Sequence, residues 1–355
     1  MRLGIVGFAL LCLGANLPEL KTFDGRHSIA TVEVTMAYLV PKDREPLKDW
    51  RDRLDYYAKR IERFHLREFD AQSKLIVNVV PKPVQSEMSC VELRGKNPNQ
   101  TFDNSTNETA KLLGWPKEPK GYPILLVLSE INWRELDDFT RTREVDGKQI
   151  FEGHVAGDGR HFPGAESGGS RATTSGSKGR GLVSADGWRV PYSGSDCVIY
   201  HEGVGHPIGF PHPEPIDDSV MGTAQYKNWI GQSYLNREQK IKLGWVPAKI
   251  PSDLKDDLFS RFTAIQDPIV PKEGQDVALK LRWSEGAKVK SMRVRYQTEL
   301  RGEWQESLFD INEAAPSKWP IGKFEKATPV SYRVDVKLED GQTTELWGYF
   351  QVKKK

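Results

Sequence analysis

The sequence predicts an α+β protein with two domains, the second of which is all-β. Strand-like and helix-like segments alternate between residues 28 and 130, which indicates a sheet covered by helices. From about residue 260 to the end of the chain, short strands alternate apolar and polar residues, a pattern typical of immunoglobulin or fibronectin sandwiches. The length of 355 residues suits one large and one small domain. We therefore predict a mixed domain over residues 16–256 and a β-sandwich over residues 257–355.

The amino terminus, residues 1–15, predicts an export signal. Arg2 supplies the positive start, residues 3–13 form an apolar run, and Gly14 and Ala15 supply the small residues that precede cleavage. The run is too short to span a bilayer comfortably. We therefore predict a secreted, periplasmic or cell-surface protein without a membrane span. The net charge of +2 gives no indication of a nucleic-acid partner, and we expect a monomer.

The first domain begins with a regular alternation of elements. β-branched residues predict a strand that Pro41 ends, and a following segment carries apolar residues at helical spacing with charged residues on its other face. Two further apolar runs predict buried strands, with a short helix between them. The predicted elements are a strand at 29–40, a helix at 47–69, a strand at 75–80, a helix at 108–113 and a strand at 122–130.

The middle of the chain is rich in glycine and serine. Residues 153–195 have this composition and predict a long exposed loop. A helix is predicted at about 195–209, ended by Gly209, and a short amphipathic helix at 235–245. Pro247 and Pro251 then mark the linker to the second domain.

Residues 200–212 carry the strongest chemical signal in the chain. They contain His201, His206 and His212, three of the seven histidines, and Glu202 directly follows the first of them. A catalytic zinc ion needs three neutral nitrogen ligands, an open position for water and a nearby base. Gly209 would turn the chain so that His212 returns to the same point.

This pattern resembles the metzincin zinc peptidases, whose signature is H-E-x-x-H-x-x-G-x-x-H followed by a methionine turn. Residues 219–222, Ser-Val-Met-Gly, match that turn, and Met221 would pack under the metal without binding it. The resemblance implies a twisted mixed sheet with an active-site helix, Zn²⁺ as cofactor, and a protein or peptide substrate. It also implies that Glu202 is the general base and that residues 182–185 resemble the edge strand that aligns the substrate.

The chain departs from the signature at one position. Three residues separate Glu202 from His206, where the family has two. In a regular α-helix, residues five apart point in different directions. A π-bulge at Gly203 and Gly205 would restore the alignment of His201 with His206. Alternatively, a regular helix would make Glu202 a ligand, in a two-histidine, one-carboxylate set that suits iron. We favour the bulge because it keeps the order of ligand, base, glycine and ligand.

Two cysteines remain after the predicted signal is removed. An exported protein with an even pair predicts a disulfide, here between Cys90 and Cys197. Such a bond would tie the metal-binding helix to the amino-terminal half of the chain.

We therefore predict a secreted zinc-dependent endopeptidase. The hydrolysis would use a water activated by zinc, with Glu202 as the base. Two alternatives remain open from the sequence. One is a metal enzyme that uses Glu202, His206 and His212 as ligands, and the other is a non-catalytic secreted binding protein on a decayed peptidase fold.

Overall fold

The computed structural model describes residues 18–131, 141–145, 148–152, 171–247, 258–307 and 315–355. The predicted signal at residues 1–15 lies outside the described residues. The described chain is α+β, with several separate sheets. Its strands are β1 Thr31–Val40, β2 Lys74–Val79, β3 Val84–Gln85, β4 Tyr122–Ser129, β5 Arg141–Val145, β6 Lys148–Glu152, β7 Arg171–Ser175, β8 Lys178–Val183, β9 Thr263–Asp267, β10 Asp276–Arg282, β11 Val289–Gln297, β12 Gln305–Ser307, β13 Lys318–Lys323, β14 Thr328–Leu338 and β15 Thr343–Val352.

The α-helices differ widely in length, and the segment that carries the histidines continues from one of the shortest. They are α1 Trp50–Glu68, α2 Cys90–Arg94, α3 Pro98–Leu113, α4 Ala185–Trp188, α5 Ser195–Tyr200, α6 Arg237–Lys242 and α7 Leu258–Arg261. A π-helix, His201–Gly205, and a 3₁₀ turn, His206–Ile208, follow α5 without a break. No helix in the described part of the chain combines the length and the hydrophobicity needed to cross a bilayer.

The amino-terminal half is built on one mixed sheet. Its strands run in the order β2-β1-β4-β8-β7, and β3 also pairs with β1. The pairs of β1 with β2, β1 with β4 and β4 with β8 are parallel, whereas β7 is antiparallel to β8. Every residue of β4 is buried. A strand that is covered on both faces has apolar residues at consecutive positions, which explains the largely apolar sequence of residues 122–129.

Helices cover both faces of this sheet. Alternate residues of β4 point to opposite sides, so that Ile124 and Leu126 join one hydrophobic cluster and Leu125 and Val127 join another. The first cluster includes the apolar face of α1 together with α5 and the π-helix. The second cluster includes residues of α2 and α3. The histidine-bearing segment therefore packs on the same face as α1.

Helix α3 begins ten residues earlier than the sequence predicts. The Asn97 side chain accepts a hydrogen bond from the Gln100 N–H, Pro98 occupies the first turn, and Gly114 ends the helix in the left-handed conformation. Asparagine before proline is a standard start signal for a helix. The polar residues between 98 and 107 hide the apolar periodicity of the first turns, so the sequence predicts a start for this helix that is too far along the chain.

The glycine-rich segment is described from residue 171, and there it forms a hairpin rather than the predicted loop. Strands β7 and β8 pair in an antiparallel register, with Arg171 opposite Leu182. The prediction of an edge strand at residues 182–185 is wrong. This segment begins in β8, which lies between β4 and β7. The two ends of this strand order are β2 and β7, and β7 is the edge next to β8.

The carboxy-terminal part contains two antiparallel sheets. One has the strand order β13-β10-β9, and the other has the order β12-β11-β14-β15. Apolar residues of both sheets, including Leu279 and Val334, form one buried cluster. Strands β14 and β15 form a hairpin around a left-handed Gly341 with φ +90°.

The two parts of the chain share apolar residues. Trp347 and Tyr349 of β15 belong to the cluster of the amino-terminal half, whereas Trp229 belongs to the cluster of the carboxy-terminal sheets. The indole N–H of Trp229 donates to the Trp347 carbonyl at 2.8 Å. Arg53 of α1 lies over the Trp347 ring, with its guanidinium carbon 5.2 Å from the ring centroid. The two parts are thus packed through a buried aromatic contact.

The predicted disulfide is wrong. Cys90 and Cys197 are both buried free thiols. Cys90 begins α2, which packs on one face of the mixed sheet, whereas Cys197 lies in α5 on the opposite face. A disulfide needs Cα atoms within about 7 Å of each other, and the sheet separates these two. Burial also raises the pKa of Cys197 well above its usual value, so this thiol is unreactive.

Candidate metal centre

Three histidine side chains converge beside the end of the π-helix. A nitrogen atom from each of His201, His206 and His212 lies within 4.8 Å of those of the other two. The His201 Nε2 atom is 2.9 Å from His206 Nε2 and 3.1 Å from His212 Nε2. The burial decreases from His201, which is buried, through His206 to His212, which is exposed. The cluster could therefore bind a metal ion that solvent can reach.

The hydrogen bonds of the rings assign their protons. His201 Nδ1 lies 2.8 Å from the Val220 carbonyl, and His206 Nδ1 lies 2.7 Å from the Phe210 carbonyl. Because a carbonyl only accepts, each Nδ1 carries the hydrogen and each Nε2 presents a lone pair. Lone pairs about 3 Å apart repel one another unless a cation lies between them. The arrangement therefore suits a cation.

Zinc fits this donor set. A tetrahedral ion with Zn–N bonds of 2.0–2.1 Å holds its nitrogen ligands about 3.3 Å apart, close to the separations seen here. Burial, together with the neighbouring His206, lowers the pKa of His201 to about 3. Metal binding requires neutral imidazole, so the lowered pKa favours the form that binds. Among the described residues, the cluster consists of three histidines and contains no carboxylate.

The π-helix resolves the spacing between His201 and His206. The His206 N–H donates to the His201 carbonyl, which is the hydrogen bond between residues five apart that defines a π-turn. The predicted π-bulge is confirmed. Residues five apart are stacked in such a turn, so both imidazoles point to one side. The alternative, a regular helix with Glu202 as a ligand, is not the arrangement seen in the structure.

Two glycines let this irregular turn pack against its neighbours. A Cβ atom on Gly203 would lie 2.6 Å from Cδ2 of Leu126, and one on Gly205 would lie 2.3 Å from Sδ of Met221. Both distances are far below an ordinary carbon contact. The π-helix is therefore held between strand β4 and the methionine, and a side chain at either position would push it away.

A left-handed glycine turns the chain back towards the metal position. Gly209 has φ +97° and ends the 3₁₀ turn that begins at His206. The Phe210 N–H donates to the Gly205 carbonyl at 3.0 Å, which closes the turn. A residue with a side chain rarely adopts this φ. Gly209 therefore allows His212 to reach the two histidines of the helix.

The turn at residues 217–222 lies under the cluster. The Asp217 carboxylate accepts a hydrogen bond from the Ser219 N–H, and the Gly222 N–H donates to the Ser219 carbonyl, both at 2.9 Å. This geometry presents the Val220 carbonyl to His201 and places Met221 in the core. The turn thus orients one imidazole through its backbone and supports the π-helix through its side chain.

Glu202 lies next to the cluster without belonging to it. Burial raises the pKa of this carboxyl to about 7, and the positive charge of Arg171 acts in the opposite direction. A carboxyl with a pKa near 7 can both accept and release a proton near neutral pH. This charge effect of Arg171 on the carboxyl was not predicted from the sequence.

A cavity of about 730 Å³ lies elsewhere, between α1 and the carboxy-terminal sheets. Its lining includes Lys59, Arg63, Arg293 and Glu345, but no residue of the histidine cluster. Among the described residues, this cavity contains no group of metal-binding side chains.

Comparisons with known proteins add little to this geometry. No model of a known protein family matches the chain, and no curated protein matches its sequence. Among solved structures, wild-type OgpA from Akkermansia muciniphila is 11% identical over 96% of each chain, with a TM-score of 0.33. Catalytically inactive OgpA from the same organism, in complex with an O-glycopeptide (glycodrosocin) substrate, gives the same values. Astrotactin-2, a conserved vertebrate-specific and perforin-like membrane protein, matches 27% of this chain and 22% of its own, with 11% identity and a TM-score of 0.21. TM-scores this far below 0.5 support no argument about fold or function.

Proposed function

We propose that this protein is a zinc-dependent endopeptidase of metzincin-like architecture, exported from the cell and carrying a carboxy-terminal β-sandwich. The observation that supports this most is the convergence of three imidazole nitrogens beside Glu202, a half-buried carboxyl. Three histidines and a neighbouring base are the donor set of hydrolytic zinc. His201, His206 and His212 would hold the ion, and Met221 would pack beneath it.

In the proposed reaction, each residue of the site has a separate role. When bound, zinc acidifies a water molecule and polarises the scissile carbonyl. Glu202 takes the proton of the attacking water and returns it to the leaving amine, a double role for which its raised pKa suits it. The carbonyls of Val220 and Phe210 keep two of the imidazoles in the tautomer that binds metal.

An extended peptide would lie along β7. This strand is at the edge of the described sheet and packs against the π-helix and the 3₁₀ turn. An exposed edge can add a peptide as one more strand through backbone hydrogen bonds. Such pairing supplies affinity with little dependence on sequence.

The test combines metal analysis with hydrolysis of casein. We expect about one zinc per chain by elemental analysis, and activity that a chelator abolishes and added zinc restores. His201→Ala should lose both zinc and activity, whereas Glu202→Gln should keep the zinc and lose activity. His27→Ala is the matched control, because His27 lies against Tyr122 and outside the cluster.

Two outcomes would contradict the proposal. Iron in place of zinc after anaerobic purification would favour the metal enzyme with a carboxylate ligand. Bound zinc without hydrolysis, in the wild type and in Glu202→Gln alike, would favour the non-catalytic binding protein.

A further inference from the structure

The first turn of helix α6 is joined by its side chains to two segments of the metal site. The Asn236 Oδ1 atom accepts hydrogen bonds from the Glu238 and Gln239 N–H groups at 2.9 and 3.2 Å, which caps the start of the helix. The Nδ2 atom of the same side chain donates to Asp217 Oδ2 at 2.9 Å. Gln239 donates from its Nε2 atom to the Pro211 carbonyl, also at 2.9 Å. These two bonds connect α6 to different parts of the histidine cluster.

The bond from Asn236 leads to His201. The two oxygens of the Asp217 carboxylate have separate partners, because Oδ1 accepts from the Ser219 N–H at 2.9 Å while Oδ2 accepts from Asn236. The carboxylate thus fixes the turn in which the Val220 carbonyl lies 2.8 Å from His201 Nδ1. His201 is therefore connected to α6 through hydrogen bonds and one short piece of backbone.

The bond from Gln239 leads to His212, the ligand with the least support of its own. The Nδ1 atoms of His201 and His206 each face a backbone carbonyl. Among the described residues, the exposed His212 ring has no such partner. The chain around it has no regular secondary structure. Gln239, which is buried, fixes the carbonyl of Pro211, the residue directly before His212.

Helix α6 is itself fixed to the core. Lys240 Nζ donates to the Glu68 carbonyl at 2.9 Å and lies 3.3 Å from the Glu68 carboxylate. The same carboxylate accepts from the Leu235 N–H at 2.8 Å. Glu68 is the last residue of α1, whose apolar face packs in the main hydrophobic cluster. The first turn of α6 is therefore a fixed support for the two segments bonded to it.

We propose that Asn236 and Gln239 position the metal ligands, so that helix α6 sets the zinc affinity of the site. This inference rests on the proposed function, since it concerns the same metal site. Asn236 acts on His201 through the turn beneath it. Gln239 acts on His212 through the backbone. A histidine that is already in place loses less conformational freedom when the metal binds. Replacing residues that orient metal ligands typically lowers metal affinity by about 10- to 100-fold.

The test is the zinc affinity of the whole chain, measured by competition with a chelating dye. Asn236→Asp keeps a side-chain oxygen that can cap α6, but it removes the donor to Asp217. Gln239→Met keeps a long unbranched side chain with a similar helix propensity, but it removes the donor to Pro211. Each substitution should raise the Kd for zinc by about 10- to 100-fold.

A reciprocal exchange tests the bond between Asn236 and Asp217 directly. The double variant of Asn236→Asp with Asp217→Asn exchanges donor and acceptor, so that an amide again donates to a carboxylate. Its zinc affinity should return close to that of the wild type, because the turn is held in the same way. A double variant that binds zinc as weakly as Asn236→Asp alone would overturn the role of Asn236.

Asn97→Ala is the matched control for damage to a helix cap. Asn97 accepts from the Gln100 N–H at 3.0 Å at the start of α3, on the opposite face of the sheet. This substitution should lower the melting temperature of the metal-free protein and leave the zinc affinity unchanged. A loss of affinity as large as that in the α6 variants would show a general effect of stability and overturn the proposal.

The outcomes separate this inference from the proposed peptidase function. Unchanged zinc affinity in both α6 variants, in a protein that hydrolyses casein, would overturn the role of α6 and leave the peptidase function intact. Weakened zinc binding in both variants, with a wild type that does not hydrolyse casein, would support the role of α6 and overturn the peptidase function. A wild-type chain that binds no zinc would overturn both.

Discussion

At the scale of single residues, His65 shows how a buried titratable group is kept neutral beside the site. Its Nδ1 atom lies 2.9 Å from the Tyr200 hydroxyl, and its Nε2 atom lies 2.8 Å from the Ser73 hydroxyl. Because Ser73 donates its own hydrogen to the Ile29 carbonyl, His65 Nε2 donates to Ser73 and Nδ1 accepts from Tyr200. One proton on the ring satisfies all of these bonds, and a second would disrupt them.

This network predicts a pH dependence of stability. Burial lowers the pKa of His65 to about 3, whereas an unfolded histidine has a pKa of about 6.5. The unfolded chain therefore binds more protons between these values, so the stabilisation is complete above pH 6.5 and is lost as the pH falls towards 3. We expect the unfolding free energy to fall by about 2 kcal/mol from this group between pH 7 and pH 5.

The measurement is urea denaturation of the wild type and of His65→Gln at several pH values. Other titrating groups cancel in the difference between the two proteins. The difference should shrink by about 2 kcal/mol from pH 7 to pH 5, as the linkage relation requires. A difference that is constant with pH would show that His65 has the same pKa in the folded and the unfolded states.

At the scale of elements, the histidine-bearing segment changes its hydrogen-bond period twice within a few residues. It begins as α5, continues as the π-helix and ends as a 3₁₀ turn. Deleting one residue from the π-helix restores the four-residue spacing that an α-helix needs. Which residue is deleted matters, because Gly203 packs against Leu126 with no room for a side chain.

Two single deletions test this packing. Deleting Val204 keeps a glycine opposite Leu126, so we expect zinc binding to survive. Deleting Gly203 moves Val204 into that position, and overpacking of this kind costs about 1–3 kcal/mol. We therefore expect the Gly203 deletion to lose zinc, and Leu126→Ala to restore it in part. Zinc retained by the Gly203 deletion and lost by the Val204 deletion would contradict the assignment.

At the scale of the whole molecule, the two parts of the chain depend on each other through Trp347. This side chain is fully buried, lies in the amino-terminal cluster and accepts a hydrogen bond at its carbonyl from Trp229. Trp347 and Trp229 therefore each pack in the cluster of the other part, across the boundary predicted near residue 257. We expect calorimetry of the intact protein to show one cooperative transition. Two well-separated transitions would show that the parts unfold independently.

Replacing Trp347 measures this dependence. Trp347→Ala should destabilise the whole protein by about 3–5 kcal/mol, the usual range for a buried aromatic residue. The matched control is Trp283→Ala, because Trp283 is only partly buried and packs against the carboxy-terminal cluster alone. Chemical denaturation of both variants provides the comparison. An equal loss in the two would argue that Trp347 does not link the two parts.

The sequence by itself determined the features that depend on residues close together in the chain. The α+β class followed from local periodicity, since apolar spacing distinguishes a strand from a helix within about ten residues. The histidine cluster and the π-turn followed from the order and spacing of His201, Gly203, Gly205 and His206, because one helix carries them all. Met221 could be predicted near the site only from its resemblance to a known turn.

The tertiary structure decided everything that joins distant parts of the chain. It placed Cys90 and Cys197 on opposite faces of a sheet, which excludes the expected disulfide. It made β7 one edge of the described sheet, although the glycine-rich sequence predicts a loop there. The physical reason is that local propensity acts over a few residues, whereas strand order and the pairing of buried groups depend on which long-range packing excludes water from both sides of the sheet.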